Sequence, residues 1–172
     1  MSLTATQLRK LLLYMPDSGE FVNLTSRTNR KAGTIAWREV DRHGRRRMYV
    51  EGKRYLAHRL AWLWMTGAWP RTTIDHVNRD PSDNSWLNLR EATRKEQQQN
   101  RGLNRNNTSG FKGVVRVRYG RGFRWRAQIE RSVCGKRKTH YLGFFHTIEE
   151  ASLARESVER VMFPFSPLNQ RK

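Results

Sequence analysis

The segment 102–109 most constrains the fold of this 172-residue chain, because it separates two regions that each have their own apolar pattern. It reads Gly-Leu-Asn-Arg-Asn-Asn-Thr-Ser and has neither helical nor strand periodicity. A chain of about 100–200 residues holds one domain or two small ones, and a linker at this position favours two. We predict a larger body before it, a domain at 110–165 after it, and a tail at 166–172.

The region before the linker mixes helical and strand patterns, which predicts an α+β fold. A β-meander is expected over 33–57, where alternating strands are separated by Gly-containing turns. Three helices are expected around it, the last of them polar. These helices cover 4–14, 58–66 and 91–101, and the turn-rich loop 71–90 has short extended pieces at its ends.

The region after the linker predicts a small three-stranded antiparallel sheet packed on one helix. Its strands are expected at 111–117, 123–130 and 139–145. The sequence Thr147-Ile-Glu-Glu150 is a capping box, so a helix begins there. Its buried stripe is expected to be apolar and to consist of Ile148, Ala151, Ala154, Val158, Val161 and Met162.

The net charge of +19 predicts a polyanionic partner, since neutralised phosphates release counterions and add affinity. The charge is uneven: residues 1–56 carry +7, residues 57–96 carry +1 and residues 97–148 carry +11. An anionic membrane surface would need a basic amphipathic helix, and the basic residues mostly lie elsewhere. We therefore expect double-stranded DNA as the partner, with no membrane and no small-molecule substrate.

Several other protein classes are excluded by composition. No apolar run approaches the ~18 residues of a membrane span, and the short run Leu11–Tyr14 is not a signal peptide. A single cysteine, Cys134, excludes an internal disulfide and a cysteine-based zinc knuckle. The expected compartment is the cytoplasm.

The near-neutral centre contains Asp75-His76, a pair of residues suited to phosphodiester hydrolysis. A carboxylate can hold a hard cation, and an imidazole can take a proton from water. Mg²⁺ needs only one or two protein oxygens, because it keeps several of its waters. On its own, such a pair is a weak signal, and a surface turn with a hydrogen-bonded histidine explains it better.

The surrounding motifs make the signal more specific. In chain order they are His58-Arg59-Leu60, Asp75-His76, Asp83-Asn84 and Asn88-Leu89-Arg90-Glu91-Ala92-Thr93. Their order and spacing resemble the HNH endonucleases, in particular the phage homing-endonuclease branch, over about residues 55–101. The resemblance implies a ββα-metal core at 57–101. The helix and meander of 1–56 match no motif, and we expect them to pack on that core.

The same resemblance assigns roles to individual residues. It implies that Asp75 is a metal ligand, His76 the general base, and Asn88 the residue that fixes the loop orienting His76. It implies one Mg²⁺ or Mn²⁺ per active site and no zinc. The family's metal-binding Asn or His falls on Gln97. Three interpretations stay open there: Gln97 binds through its amide oxygen, Asn100 substitutes, or the site is impaired.

Other residues of this region have structural explanations. His58 opens a helix among apolar residues, and we expect it to be hydrogen-bonded rather than a metal ligand. Asp80 and Asp83 stand in turn-forming sequence. The core is expected to include Trp62, Trp64, Trp69 and Trp86.

Strand alternation in the C-terminal sheet predicts a polar face opposite the helix. Arginine forks can grip phosphates and guanine edges, and glutamine can pair with adenine. A solvated charged face would explain one or two arginines, but the predicted face has four. Its expected members are Arg116, Arg118, Arg124, Arg126, Gln128, Thr139 and Tyr141.

Four segments of the C-terminal region form a second set of motifs: Ser109–Val114, Arg124–Ile129, Tyr141–Phe145 and Thr147–Ala151. They resemble the plant Apetala and ethylene-response-factor DNA-binding domain over about residues 109–160. That resemblance implies duplex binding through the polar sheet face, as a targeting module for the nuclease.

The N-terminal meander is expected to add phosphate contacts through Arg45, Arg46 and Arg47.

The leading hypothesis is a site-directed DNA endonuclease of the homing type, in the host-cell cytoplasm if a phage encodes it. The alternative is a catalytically impaired, HNH-derived DNA-binding protein, which Gln97 keeps open. A ribosomal or RNA-binding protein fits the charge but leaves the Asp-His array unexplained. One motif per chain means that a monomer should nick, whereas a homodimer could cut both strands.

Overall fold

The computed structural model shows a mixed α+β protein with small antiparallel sheets, which confirms the predicted fold class. The chain divides into two compact units at residues 1–97 and 98–172. No helix in the described part of the chain is long and apolar enough to cross a bilayer. The structure describes residues 2–27, 30–37, 39–133, 136–166 and 169.

The first unit begins with helix α1 (Ala5–Leu11), which Thr4 caps. The Thr4 hydroxyl accepts the N–H of Gln7 at 3.2 Å, and the Gln7 side-chain oxygen accepts the N–H of Thr4 at 2.9 Å. This capping box satisfies donors that the first helical turn leaves open.

The helix predicted to continue to residue 14 ends at Leu11, and strand β1 (Leu12–Met15) follows directly. Leu12 and Tyr14 are buried while the residues between and after them are exposed. That period of two fits a strand rather than a helix. β1 pairs with strand β2 (Glu20–Asn23) to form a hairpin that the sequence interpretation did not contain.

The predicted meander forms, but its first strand is shorter than expected. Strands β3 (Glu39–Val40), β4 (Arg46–Val50) and β5 (Lys53–Leu56) make an antiparallel sheet in that order. Upstream of β3, Ile35 forms an isolated bridge to Val22 of β2. That part of the predicted strand therefore pairs with the N-terminal hairpin instead.

The helices and strands in the centre of the first unit occur in the predicted order. Helix α2 (Ala57–Thr66) ends at Gly67, whose left-handed φ of 79° suits glycine. Strands β6 (Thr73–His76) and β7 (Leu89–Ala92) pair antiparallel. Helix α3 (Arg94–Gln99) starts later than predicted, because the residues before it belong to β7.

The core of the first unit collects side chains from α1, α2, the hairpin and the meander. The four tryptophans expected there pack at its edge, which confirms their structural role. Its largest fully buried side chains are Leu8, Tyr14, Phe21, Met48, Leu60 and Leu63.

The second unit is the predicted sheet and helix. Strands β8 (Val114–Tyr119), β9 (Gly122–Val133) and β10 (Lys136–Phe145) are antiparallel in the order β10-β9-β8. Helix α4 (Ile148–Met162) packs on all three strands and starts at the predicted capping box.

The buried face of α4 is partly ionic, which corrects the predicted apolar stripe. Val161 is 84% exposed, whereas Arg155 and Glu159 are buried and form an ion pair. Glu159 also accepts a hydrogen bond from the Ser166 hydroxyl at 2.6 Å and pairs with Lys112 at 3.3 Å. These partners compensate the buried charges, as a low-dielectric interior requires.

Candidate active site

Strand register fixes the surroundings of Asp75. β6 and β7 place Asp75 directly opposite Arg90. The Arg90 guanidinium donates to one carboxylate oxygen, Oδ2, from Nη2 at 2.8 Å and from Nε at 3.1 Å. The residue predicted to bind metal is therefore also half of a partly buried ion pair.

His76 lies at the end of β6 and is buried. Its Nε2 is 3.3 Å from Oδ1 of Asn84. Burial lowers the pKa of His76, and the Asn84 hydrogen bond and the Asp75 charge oppose that shift only in part. The ring is therefore uncharged near neutral pH, which is the form that can accept a proton.

A second histidine contacts His76. The ring of His58, on α2, meets the His76 ring edge to face, with centroids 5.1 Å apart. The pKa of His58 is lowered to about 3, mainly by burial and to a smaller extent by the positive charges of Arg45 and Arg59. No hydrogen bond to Nδ1 of His58 occurs within the described residues, so the hydrogen-bonded role predicted for it is wrong at that atom. The ring of His58 instead contacts the ring of His76.

Asn88 ties together the loop that follows His76. Its Oδ1 accepts the N–H of Asn78 at 2.8 Å, and its Nδ2 donates to the backbone oxygen of Asp83 at 2.7 Å. One amide side chain thus joins both ends of the turn that separates β6 from β7. These two bonds hold the loop together, and the role of Asn88 in orienting His76 stays a prediction.

The two other aspartates of this loop form turns, as predicted. Oδ1 of Asp80 accepts from the N–H and hydroxyl of Ser82 at 2.9 and 2.7 Å. Oδ1 of Asp83 makes the same pair of contacts with Ser85 at 3.0 and 2.7 Å. These are side-chain turns of the kind that aspartate favours.

Gln97 lies on α3 and is half-buried. Within the described residues its side chain makes no hydrogen bond, and nowhere in them do three or more His, Cys, Asp or Glu side chains cluster as a metal site. Asp75 could offer a carboxylate oxygen and Gln97 an amide oxygen, and oxygen ligands are the kind that suit a hard cation such as Mg²⁺, which retains several waters. Asn100 follows α3 and is buried.

The arginines of the meander are paired within the first unit. Arg45 and Arg47 contact the same oxygen of Asp41 at 2.8 and 3.0 Å. Burial would raise the pKa of Asp41, but hydrogen bonds from Arg45 and from a neighbouring backbone N–H hold it well below its usual range. Arg46 pairs with Glu20 and stacks on the ring of Trp37, 4.8 Å from its centroid.

In the second unit, the register overturns one predicted face. Val115 lies opposite Arg126 and Val117 opposite Arg124, whereas Arg116 lies opposite Trp125. Residues directly opposite in a sheet share a face. Arg116 and its alternate neighbour Arg118 therefore lie on the other face from the arginines of β9. Alternation shows which residues of one strand share a face, but it does not show which face of the next strand lies beside it. The prediction that Arg116 and Arg118 share a face with the arginines of β9 was therefore wrong.

The remaining predicted residues do share a face. Tyr141 lies opposite Gln128, and Thr139 opposite Glu130. A bulge between Tyr141 and Gly143 then brings Phe144 onto the same face, opposite Arg126.

Aromatic rings contact the guanidiniums on this face. Arg126 lies 5.1 Å from the ring of Tyr141, and Arg124 lies 5.7 Å from the ring of Tyr119. The rings of Tyr119, Tyr141 and Phe144 are each more than half exposed. Such a mixture of cations and exposed rings is typical of nucleic-acid-binding surfaces.

Comparison with known proteins bears on the first unit. Residues 55–99 match the HNH endonuclease family. The matched segment contains the Asp75–His76 pair, Asn88 and Gln97. It supports a nuclease that acts on nucleic acid. No curated protein and no solved structure matches the chain.

Three contacts of this site were not predicted from the sequence. They are the Arg90 pair with Asp75, the Asn84 contact with His76, and the ring of His58. All three residues stand in the HNH-like motifs, and position in those motifs was the only available signal for them.

Proposed function

We propose that the protein is a DNA endonuclease that hydrolyses a backbone phosphodiester with His76 as the general base. The observation that carries the proposal is that His76 is buried, directly follows a carboxylate, and lies within the segment that matches the HNH endonucleases. Burial lowers the pKa of His76, and a neutral imidazole can take a proton from an attacking water.

Each neighbour has a role in that reaction. Asn88 holds the loop beside His76 through its two hydrogen bonds. Asp75 and Gln97 would hold one Mg²⁺ or Mn²⁺. The bound ion would neutralise charge on the scissile phosphate and on the leaving oxygen.

We further propose that the second unit binds double-stranded DNA and directs the nuclease to a site, as in homing endonucleases of phages. Its net charge of +11 and the face around Arg124, Arg126, Gln128, Thr139 and Tyr141 support this. The Apetala-like motifs agree with it. Arg116 and Arg118 are left out because they lie on the opposite face, and Arg45, Arg46 and Arg47 because carboxylates already pair with them.

The test has two steps. Binding selection from random duplexes would first recover a bound sequence, and that duplex would then be incubated with protein and Mg²⁺ or Mn²⁺. We expect strand cleavage, with nicking from a monomer and double-strand cutting from a homodimer. Absence of cleavage on a duplex that binds specifically would contradict the proposal.

The second candidate is an impaired HNH protein that binds DNA without cutting it. The Arg90 pair with Asp75 and the Gln97 position favour it, since both weaken a metal site. Mn²⁺ affinity of the native protein, of Gln97→Asn and of Asp75→Asn separates the candidates. Binding that depends on Asp75 supports the nuclease; no Mn²⁺ binding by the native protein, together with restored binding and cleavage in Gln97→Asn, supports the impaired form.

A further inference from the structure

Asn84 is a buried amide side chain beside His76. Asn84 is 0% exposed, and its Nδ2 donates to the backbone oxygen of Ser82 at 3.2 Å. A carbonyl oxygen can only accept, so this contact sets which end of the amide is nitrogen. The other end, Oδ1, then faces Nε2 of His76 at 3.3 Å.

This orientation has a consequence for the imidazole. Because Oδ1 is an acceptor, Nε2 of His76 must carry the proton that it donates. In a neutral ring with Nε2 protonated, Nδ1 has the lone pair. Asn84 thus selects one of the two neutral tautomers of His76.

The backbone of Asn84 is held in turn by the N-terminal hairpin. The Tyr14 hydroxyl donates to the backbone oxygen of Asn84 at 2.6 Å. The N–H of Trp86 donates to the backbone oxygen of Pro16 at 2.8 Å.

The turn of the hairpin also fits closely against this segment. A Cβ on Gly19 would lie 2.3 Å from the carbonyl carbon of Asn84, and its φ of 70° also favours glycine. The hairpin and the Asn84 segment therefore touch with no room for a side chain between them.

We propose that Asn84 is the positioning residue that fixes the tautomer and orientation of His76, and that hairpin β1–β2 is the part of the nuclease unit that holds Asn84 in place. The catalytic meaning of this inference rests on the proposed function. The hairpin lies outside the residues that match the HNH family, so the inference extends the active site to the N-terminus of the chain.

The test reads the tautomer directly, in protein without metal or DNA. Nitrogen-15 NMR distinguishes protonated from unprotonated imidazole nitrogens, and His76→Gln assigns the signals among the five histidines. In native protein at neutral pH we expect a single form with Nε2 protonated. Asn84→Leu should give an averaged mixture of tautomers, because it removes the acceptor that faces Nε2.

Two further variants separate positioning from general stability. Tyr14→Phe removes only the hydroxyl that holds Asn84, and we expect partial tautomer averaging. Leu8→Ala removes buried α1 packing, so it should lower stability while leaving the tautomer unchanged. A native ring protonated on Nδ1, or an Asn84→Leu protein that keeps the single form, overturns the inference.

Cleavage kinetics test whether the tautomer of His76 affects the rate of the proposed reaction. In a cleavage assay Asn84→Leu should lower kcat at least about tenfold with KM unchanged. If native protein shows the expected tautomer but cuts no DNA, the proposed function fails while the positioning of His76 by Asn84 stands. If it cuts DNA and Asn84→Leu matches native kcat, the inference fails and the proposed function stands.

Discussion

The arginines of the meander and those of the C-terminal sheet face have different partners, although both segments are rich in arginine. In the meander Arg45 and Arg47 share the carboxylate of Asp41, and Arg46 pairs with Glu20. On the partly exposed sheet face Arg124 and Arg126 contact aromatic rings and have no ion pair within the described residues. Residues 97–148 contain 12 basic residues and a single acidic one, so few carboxylates can pair with them there. The arginines without a carboxylate partner are the ones that we propose for DNA binding.

The same contrast applies to function. The first unit encloses uncharged histidines at the proposed catalytic site, whereas the second unit exposes cations and rings. Variants in the first unit should therefore change chemistry and stability, and variants on the sheet face should change binding. The predictions below test this division.

The largest effect is expected from His76→Ala. Losing a positioned general base should lower the cleavage rate by about 10²–10⁴-fold, while affinity for the bound duplex stays within about twofold of native. Gel-based cleavage and fluorescence anisotropy on one duplex measure both quantities. A large loss of affinity would mean that His76 is structural, and that the two units do not divide chemistry from binding.

Acid should destabilise the first unit before the second. The pKa of His58 is about 3 when folded against an ordinary 6.5, so between these pH values only the unfolded chain takes up the proton. The free energy of unfolding should fall by about 1.4 kcal/mol per pH unit in that window, as pH decreases. In the second unit burial would raise the pKa of Glu159, but the hydrogen bond from Ser166 and nearby cations hold that pKa below its ordinary 4.5. The stability that ionised Glu159 contributes is therefore lost only when the pH falls below 4.5.

Tryptophan fluorescence can follow this order of events. Five of the six tryptophans lie in residues 1–97, and Trp125 is the one in the second unit. Denaturation of native protein and of Trp125→Phe at several pH values isolates the first unit. His58→Gln should reduce its pH dependence. Equal stability at pH 4 and pH 7 would contradict a neutral, buried His58.

Arg124→Ala combined with Arg126→Ala should weaken duplex binding by about tenfold to hundredfold and reduce the salt dependence of binding. The matched control is Arg116→Ala with Arg118→Ala, which removes the same charge from the same sheet on its other face. Anisotropy titrations at several salt concentrations compare the two. Equal losses would show that charge alone, and not the face, governs binding.

The smallest effect is expected from Arg46→Ala. Removing its pair with Glu20 and its contact with Trp37 should lower the free energy of unfolding by about 1–2 kcal/mol, with little change in duplex affinity. Arg54→Ala is the control, because Arg54 is exposed and has no ion pair within the described residues. If Arg46→Ala instead weakened binding without loss of stability, the meander would be a DNA contact after all.

Much of the fold could be predicted, because local signals decided it. The capping box at Thr147, Gly67 after α2 and the alternating strands of the second unit all appear where expected. The prediction failed where pairing with another strand decided the secondary structure. Leu12 and Tyr14 belong to a strand because β2 pairs with them, and a helical pattern in the sequence could not show that.

The candidate site likewise has residues that the sequence predicts and contacts that only the structure shows. Asp75, His76 and Asn88 could be chosen from motif and spacing alone. The Arg90 partner of Asp75 follows from strand register, and the Tyr14 contact with Asn84 joins residues 70 positions apart. Contacts across such separations leave no periodic trace in the sequence.

The sequence by itself determined the α+β class, the two basic regions around a near-neutral centre, and the residues suited to phosphodiester hydrolysis. These follow from composition, periodicity and motif order, which are properties of neighbouring residues. Only the tertiary structure decided which arginines are paired, which face carries Arg116, and which residues surround His76. Those properties depend on strand register and burial, and burial sets the cost of a charge and thus the protonation of each histidine.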